Sequence, residues 1–332
     1  MSHPTVSIGI PTYNRSRLLR QAIHSVLQQT YQDFEVIVSD DCSPDDTAEV
    51  VQSFHDPRIR YHRTSENLRP PRNWNECVRL AHGEFFAILP DDDVWRPKFL
   101  VEMVTAFQAH PDVGFAQCAY HSVDESLREI RNVRAGSTKL VLYGESALIW
   151  QLERLACVPV ALLFRRAAMA ELGLWHERDG YWDDWAFIVR LAYRYGFAYV
   201  PKLLACNRVH SQNLNRELYH KGRDAILDLL NQHADVFGEA LPLTPALEAF
   251  HAKLNRELSQ HCVLLALSAL RRREWSQARF HFTRARRLYA LAGFDLGFIK
   301  LRLSLRAEAQ RELLLRQTAQ SHEPIVELDR YP

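Results

Sequence analysis

The sequence lacks the cysteine pattern of a disulfide-stabilised or zinc-binding protein. Only six of its 332 residues are cysteine, and they include no C-x-x-C pair and no dense cluster. Neither a disulfide framework nor a zinc site is therefore indicated, and a reducing compartment fits this cysteine usage best.

Long apolar runs and an apolar leader are also absent. No stretch approaches the roughly 18 uncharged apolar residues that a membrane-spanning helix needs. The first apolar run begins at Val6, with no basic and apolar leader before it. These absences predict a cytoplasmic protein without a transmembrane helix.

The charges of the chain nearly cancel, with 41 Lys and Arg against 40 Asp and Glu. A net charge of +1 does not favour nucleic acid as a partner. Basic residues are nevertheless concentrated between positions 271 and 306. They either solvate helices or form a peripheral contact with anionic lipid at the inner face of the membrane.

Short apolar runs alternate with amphipathic segments over the first two thirds of the chain. This alternation predicts an α/β fold with a Rossmann-like, mostly parallel sheet flanked by helices, which binds ligands at the carboxyl ends of its strands. The first strand is expected to stop at Pro11, and 121–145 reads as irregular. Strands are predicted at 6–10, 34–39, 58–62, 84–89, 113–120 and 197–200, and helices at 17–29, 47–54, 73–82, 98–109, 146–153, 166–172 and 186–195.

Strand signals end near residue 216, and long helical patterns follow. A chain of 332 residues is long enough for about two domains. We therefore expect an α/β domain at 1–216 and an all-α C-terminal domain at 217–332. Its helices are predicted at 221–237, 245–271, 275–291 and 297–318.

Three adjacent aspartates, Asp91, Asp92 and Asp93, follow the apolar run that ends at Leu89. Adjacent carboxylates at the end of a strand repel one another unless a cation lies among them. Side chains alternate along an extended chain, so Asp91 and Asp93 would point one way and Asp92 the other. Oxygen ligands favour Mg²⁺ or Mn²⁺ over zinc. The triplet therefore predicts a metal site that binds a phosphate-bearing substrate, and a solvated acidic turn is the alternative.

Polar segments recur along the chain in a definite order. They are Pro11-Thr-Tyr-Asn-Arg15, Asp40-Asp-Cys-Ser43, Glu66-Asn-Leu68, Asn73-Trp-Asn75, Asp91-Asp-Asp-Val-Trp95, Trp182-Asp-Asp-Trp185 and Arg208-Val-His210. In content and order they resemble a family 2 glycosyltransferase of the GT-A fold, over about residues 5 to 215. The combination is specific, although no single segment is.

The resemblance implies an inverting transferase that uses Mn²⁺ or Mg²⁺. The donor would be a nucleotide-diphosphate sugar, first of all a UDP-sugar. The acceptor would be a hydroxyl of a saccharide or a lipid-linked molecule, in the synthesis of cell-surface polysaccharide.

The resemblance also assigns residues to the donor nucleotide. Asp40 or Asp41 would accept a hydrogen bond from the base, although both could instead form a turn or cap a helix. Tyr13 offers an aromatic face for stacking, or is an ordinary loop aromatic. The full set of expected donor-binding residues is Pro11, Tyr13, Asp40, Asp41, Asn67, Arg72 and Asp91.

The acidic triplet departs from the family's pattern at one position. The family usually has Asp-x-Asp-Asp before Val-Trp-x-Pro, and this register places Pro90 where the first Asp would stand. The departure makes Asp92 the principal metal ligand, with Asp93 and His210 as further ligands. Which of Asp91 and Asp93 faces the diphosphate stays open, and His210 could equally be structural.

A further pair of aspartates matches the family's catalytic base. Asp184 would take the proton of the acceptor hydroxyl, with Asp183 as its acidic neighbour. The pair stands between Trp182 and Trp185, and a carboxylate beside apolar rings becomes more basic. An N-cap at the start of a helix is the alternative role.

Two other functions fit parts of the sequence. A nucleotidyltransferase also combines aspartates and Mg²⁺ on an α/β sheet, but residues 9–15 contain one glycine where such enzymes have a glycine-rich phosphate loop. A non-catalytic scaffold is the second alternative, in which Pro90 marks a degenerate site and the helical half binds partners.

Overall fold

The computed structural model describes residues 3–154, 158–175 and 183–210, together with scattered positions between 245 and 285. The chain divides into two compact units, Met1–Asn213 and Leu214–Pro332. In the second unit the described positions are mostly helical. The helices predicted at 221–237 and 297–318 lie outside the described residues.

The first unit is built on a ten-stranded sheet in the described residues. Its main path has the strand order β3-β2-β1-β4-β9-β6-β10-β5, with β7 beside β6 and β8 beside β10. The strands are β1 (Val6–Thr12), β2 (Phe34–Asp40), β3 (Ile59–Arg63), β4 (Phe85–Ile88), β5 (Val94–Trp95), β6 (Phe115–Val123), β7 (Glu129–Val133), β8 (Leu140–Leu142), β9 (Leu162–Arg165) and β10 (Phe197–Arg208).

Most of these strands run in the same direction. The strands β1, β2, β3 and β4 pair in parallel, and β6 pairs in parallel with β10. Because β9 is antiparallel to both β4 and β6, it joins the two parallel groups without reversing their common direction. The carboxyl ends of β1, β2, β4, β6 and β10 therefore lie at one edge of the sheet.

Helices cover both faces of the sheet. Alternate strand residues point to opposite faces: Val36 and Val38 join one apolar cluster, and Ile37 joins the other. Helices α1 and α4 bury their apolar residues in the first cluster, and α3, α5, α6 and α7 bury theirs in the second. The helices are α1 (Ser16–Leu27), α2 (Thr47–Gln52), α3 (Arg72–Leu80), α4 (Phe99–Ala109), α5 (Gly144–Arg154), α6 (Arg166–Leu172) and α7 (Asp183–Tyr195).

The predicted fold class is confirmed, and the mostly parallel sheet is flanked by helices. The expectation that 121–145 is irregular was wrong, because β6 continues to Val123 and is followed by β7 and β8. The sequence also did not predict β5 and β9. β5, β8 and β9 are two, three and four residues long, so none of them shows the long alternation by which strands are recognised.

The sequence predicted that the first strand stops at Pro11, and this prediction was wrong. β1 runs to Thr12, and Pro11 pairs in register with Ser39 of β2. β4 pairs with β1 only as far as Gly9, so at Pro11 no strand lies on that side to require a backbone N–H. A proline is tolerated in a strand where no partner needs its missing donor.

Gly9 allows helix α3 to approach strand β1 closely. A Cβ added there would lie 2.5 Å from Cys77 Cβ and 2.9 Å from Phe86 Cζ. Both neighbours are fully buried. We therefore expect Gly9→Ala to lower the free energy of unfolding of the first unit by about 1–3 kcal/mol, as measured by urea denaturation.

Gly136→Ala is the control for this substitution. A Cβ at Gly136 would meet its nearest neighbour, Tyr199 Cε1, at an ordinary 3.6 Å. It should leave the urea midpoint unchanged within error. Equal midpoints for Gly9→Ala and the wild type would show that the contact between α3 and β1 is looser than described.

Candidate functional site

Polar side chains gather at the sheet edge where the parallel strands end. Thr12 and Asp40 are the last residues of β1 and β2, and Arg208 is the last residue of β10. The acidic triplet follows β4 at the same edge. The fold thus brings segments that are far apart in the sequence to one place, as expected for a sheet of this kind.

The acidic triplet is buried, and hydrogen-bonding groups hold its first two carboxylates. Asp91 is 4% exposed and Asp92 is 7% exposed. The hydroxyl of Thr12 donates to Asp91 Oδ2 at 2.8 Å. Nη1 of Arg15 lies 3.1 Å from Asp91 Oδ1 and 3.1 Å from Asp92 Oδ2. One guanidinium nitrogen therefore bridges two neighbouring carboxylates.

The end of β10 holds the other side of the triplet. Nε2 of His210 lies 2.9 Å from Asp92 Oδ2. Asp93 accepts a hydrogen bond from the backbone N–H of Arg208 at 2.7 Å and one from the side chain of Asn207 at 3.3 Å. The structure therefore brings Asp92 and His210 together, whereas the hydrogen bonds of Asp93 go to Asn207 and Arg208.

Burial and mutual repulsion shape the charges of the triplet. Burial, followed by the charge of Asp92, raises the pKa of Asp91 to about 6, against the opposing effect of Arg15. The same two causes raise the pKa of Asp93 well above its usual value. Burial alone would lower the pKa of Arg15, but the nearby Asp91 and Asp92 raise it. The site therefore favours an additional positive charge.

The chemistry of these side chains suits Mn²⁺ or Mg²⁺. Carboxylate oxygens are the ligands that both ions prefer, and an imidazole is acceptable to Mn²⁺. As arranged, however, no three His, Cys, Asp or Glu side chains of the described residues converge on one point to hold an ion. The triplet is held instead by Arg15 and by the end of β10. The residue types fit a metal, and binding one requires their hydrogen bonds to rearrange.

Asp40 ends β2 and Asp41 follows it, and both are buried, at 0% and 2% exposed, but their partners differ. Asp40 is fully buried and accepts hydrogen bonds from Ser43 N at 2.8 Å, Tyr61 Oη at 2.5 Å and Arg63 Nη1 at 2.9 Å. The partners of Asp41 lie in a partly exposed loop. They are the backbone N–H groups of Leu68 and Arg69, at 2.7 and 2.9 Å, and the hydroxyl of Thr64 at 3.3 Å.

The remaining predicted donor-binding residues lie in and near the same loops. Tyr13 is 45% exposed, and Pro11 is buried within β1. Asn67 is exposed, and its side-chain oxygen accepts from Arg69 N at 3.0 Å. Arg72 is an exposed residue at the start of α3. The ends of β1 and β2 and the loops that follow β1, β2 and β3 thus contain most of the predicted donor-binding residues.

The predicted catalytic pair lies at the beginning of helix α7. Asp183 is the first residue of this helix, and Asp184 is half-buried in its first turn. The side chains of Asp183, Trp182 and Trp185 lie outside the described residues. Further along α7, the rings of Phe187 and Trp175 pack with their centroids 4.9 Å apart. The side-chain amide of Asn75 donates to the backbone carbonyl of Trp175 and accepts from its backbone N–H.

Several residues of the site were not predicted from the sequence. They are Thr12, Arg15, Tyr61, Arg63 and Asn207. Thr12 and Arg15 stand in the recognised segment that begins at Pro11, so their position was a usable signal. The pairing of Asp40 with Arg63 depends on the register of β2 with β3, which no local pattern shows.

Comparison with known proteins identifies similar sequences. The model of the family Glycosyl transferase family 2 matches residues 7–173. The putative colanic acid biosynthesis glycosyl transferase WcaA of Escherichia coli K12 is 38% identical over 111 residues, which are 33% of this chain and 38% of that protein. The GalNAc(5)-diNAcBac-PP-undecaprenol beta-1,3-glucosyltransferase of Campylobacter jejuni is 44% identical over 93 residues, which are 27% and 30% of the two chains. The matches thus span well under two thirds of either relative.

Solved structures share the fold. TarS of S. aureus in complex with UDP-GlcNAc has a TM-score of 0.56 at 17% identity, over 85% of this chain and 92% of that one. The mannosyltransferase PcManGT of Pyrobaculum calidifontis, in complex with GDP-Man and Mn²⁺, has a TM-score of 0.58 at 20% identity, over 93% and 81% of the two chains. At these identities the likeness establishes the fold.

The surroundings of Asp40 predict a mainly structural contribution. Asp40→Asn would turn an amide N–H₂ toward groups that donate, and would leave Arg63 without its buried partner. We expect it to lower the free energy of unfolding by about 1–3 kcal/mol, as measured by urea denaturation at pH 7. The exposed Asp112 is the control, and Asp112→Asn should change stability by less than about 0.5 kcal/mol. Equal effects of the two substitutions would contradict the structural role.

Proposed function

The chain belongs to glycosyl transferase family 2, and we propose that it is a metal-dependent, inverting transferase of a sugar from a UDP-sugar. The acceptor is a hydroxyl of a saccharide or of a lipid-linked molecule, in the synthesis of a cell-surface polysaccharide. The likeness to TarS, which was solved with UDP-GlcNAc, supports the choice of donor. The similarity to the colanic acid transferase supports the choice of product.

One structural observation supports this proposal most directly. Asp91, Asp92 and His210 meet at the carboxyl edge of the sheet, although β10 and β4 are far apart in the sequence. A buried cluster of carboxylates beside an imidazole is costly to maintain without a cation. Arg15 supplies one positive charge against these carboxylates, and a divalent metal would supply more and would in turn bind the anionic diphosphate.

We assign the recognition of the base to Asp41 rather than Asp40. The carboxylate of Asp40 is enclosed by side chains of β3. Asp41 is also buried, but its main partners are two backbone N–H groups of one loop, and displacement of that loop would free its oxygens for the base. Tyr13 is exposed and follows Thr12, whose carbonyl accepts a hydrogen bond from Asp41 N at 2.9 Å, and its ring offers a stacking face. Pro11, Asn67 and Arg72 are proposed to line the rest of the nucleotide site.

The metal is assigned to Asp92 and His210, with Asp91 or Asp93 as a further ligand. When bound, a divalent ion would neutralise the charge that develops on the leaving diphosphate. Pro90 replaces the carboxylate that the family usually has at the start of the motif. Pro90 begins a turn in which its carbonyl oxygen accepts a hydrogen bond from Asp93 N at 3.1 Å. The three carboxylates after Pro90 are therefore the ones that can supply oxygen ligands to the metal.

The transfer itself is assigned to Asp184. Its carboxylate takes the proton of the acceptor hydroxyl, while the acceptor oxygen forms a bond to the anomeric carbon. The bond from that carbon to the diphosphate oxygen breaks in the same displacement, and the diphosphate leaves with the electron pair. Attack from the face opposite the leaving group inverts the anomeric centre without a covalent sugar intermediate. Asp183 is proposed to support Asp184.

Nucleotide binding tests the donor site and the metal site together. We expect UDP to bind the wild type only with Mn²⁺, as measured by calorimetric titration of UDP, dTDP and GDP with and without the ion. Asp92→Ala should abolish this binding, because it removes the central ligand. Asp184→Asn should keep nucleotide binding but lower turnover of the donor by about 100-fold or more.

The outcomes separate the proposal from its main alternative. If no nucleotide binds the wild type with or without Mn²⁺, the chain is a non-catalytic scaffold with a degenerate site. If GDP alone binds, the reaction class stands and the UDP assignment is wrong. If Asp184→Asn turns over donor at the wild-type rate, another residue is the base.

A lipid-linked acceptor is proposed from the Campylobacter relative, whose name includes an undecaprenol diphosphate substrate. Among the described residues, no helix is both long and apolar enough to span a bilayer. The basic stretch between 271 and 306 lies mostly outside the described residues. We expect the protein to sediment with vesicles containing anionic lipid at low salt and to be released at about 0.5 M salt. Absence of sedimentation at low salt would remove the proposed membrane contact.

A further inference from the structure

Arg15 stands at the point of the site where a cation would be expected. We propose that Arg15 holds the acidic triplet closed, that a divalent metal displaces its guanidinium, and that the displaced guanidinium then binds the diphosphate of the donor. This inference rests on the proposed function, because it assumes that the site takes a metal and a nucleotide diphosphate. Arg15 is then a positioning residue that weakens the binding of the metal alone and strengthens the binding of the nucleotide.

The geometry makes Arg15 and a metal mutually exclusive at the triplet. A single nitrogen, Nη1, is 3.1 Å from an oxygen of Asp91 and 3.1 Å from an oxygen of Asp92. A magnesium ion binds carboxylate oxygens at about 2.1 Å. An ion that used these two oxygens would lie almost in contact with the nitrogen that bridges them. Two positive charges that close repel strongly, so one of them must leave.

The arrangement of Arg15 allows its side chain to leave without a change in the backbone. Its carbonyl oxygen accepts hydrogen bonds from the N–H groups of Leu18 and Leu19, both at 3.0 Å, which anchor the residue at the start of α1. Its side chain is 26% exposed. The adjacent Tyr13 and Asn14 are exposed. The guanidinium can therefore turn toward solvent, where the predicted donor would approach.

The chemistry of a guanidinium suits the second position. Its planar set of N–H donors matches the oxygens of phosphate as well as those of carboxylate. With a metal on the triplet, the nearest new anion would be the diphosphate that the metal binds. Arg15 then exchanges one anionic partner for another. The exchange couples metal binding to donor binding. The metal releases Arg15 from the carboxylates so that it can bind the diphosphate, and the diphosphate draws Arg15 away from the carboxylates that the metal needs.

The proposal predicts opposite effects of one substitution. Arg15→Gln should bind Mn²⁺ alone about tenfold more tightly, equivalent to about 1.4 kcal/mol, because no guanidinium competes for the triplet. With saturating Mn²⁺, the same variant should bind UDP at least about tenfold more weakly. Mn²⁺ affinity is measured from the electron paramagnetic resonance signal of the free ion, and UDP affinity by calorimetry.

Two further variants separate competition from a general effect of charge. Arg15→Lys keeps a positive charge and should recover much of the UDP affinity. Arg20→Gln removes a charge from the same helix, but Arg20 contacts Ser53 and not the triplet. It should change both affinities by less than about twofold. A circular dichroism melt of each variant verifies that it is folded.

Each other outcome overturns a defined part of the account. If Arg15→Gln weakens Mn²⁺ and UDP binding together, Arg15 only shapes the carboxylates, and the displacement is wrong. If neither affinity changes, Arg15 has no role in the site. If the wild type binds Mn²⁺ but neither UDP nor GDP, the proposed function fails, whereas the effect of Arg15→Gln on Mn²⁺ alone still decides whether the guanidinium competes with the ion.

Discussion

The structure depends on the burial of three adjacent carboxylates at one edge of its sheet. Three negative charges that close are unfavourable in a protein interior unless donors or cations surround them. Here the donors come from two places: Thr12 at the end of β1 and Arg15 after it, and Asn207 and Arg208 at the end of β10 with His210 just beyond. The ends of β1 and β10 therefore hold the triplet in place, and the triplet in turn links these two parts of the sheet.

The topology explains how one edge collects these groups. β9 runs antiparallel between β4 and β6, so the strands on both sides of it keep one direction. As a result, β10 ends beside the loop that follows β4, and the backbone N–H of Arg208 reaches Asp93. The short strand β5 pairs with β10 directly after the triplet and fixes this register. A shift of β10 by one residue would remove the donor of Asp93 and move His210 away from Asp92.

Much of the fold followed from the sequence, because its signals are local. The alternation of strands and helices predicted the mostly parallel sheet, and the acidic triplet after an apolar run predicted where its buried charge lies. The fold brings Asp92 and His210, two residues that the sequence assigned to one site, within 2.9 Å of each other. By contrast, β5, β8 and β9 pair with strands far away in the sequence, and β7 forms a hairpin with β6 but has no buried residue that would mark it as a strand. The ion pairs of Arg15 and of Arg63 likewise depend on how distant strands align, which the sequence does not show.

The central claim is that the acidic triplet is the place where metal and nucleotide diphosphate bind together. The most direct measurement is a crystal structure of the protein grown with Mn²⁺ and UDP, with the manganese located by its anomalous scattering. The account predicts an anomalous peak against Asp92 and His210, with the diphosphate on that ion and Arg15 moved from the carboxylates to the phosphate oxygens. A nucleotide bound elsewhere on the protein, with Arg15 still bridging Asp91 and Asp92, would contradict it.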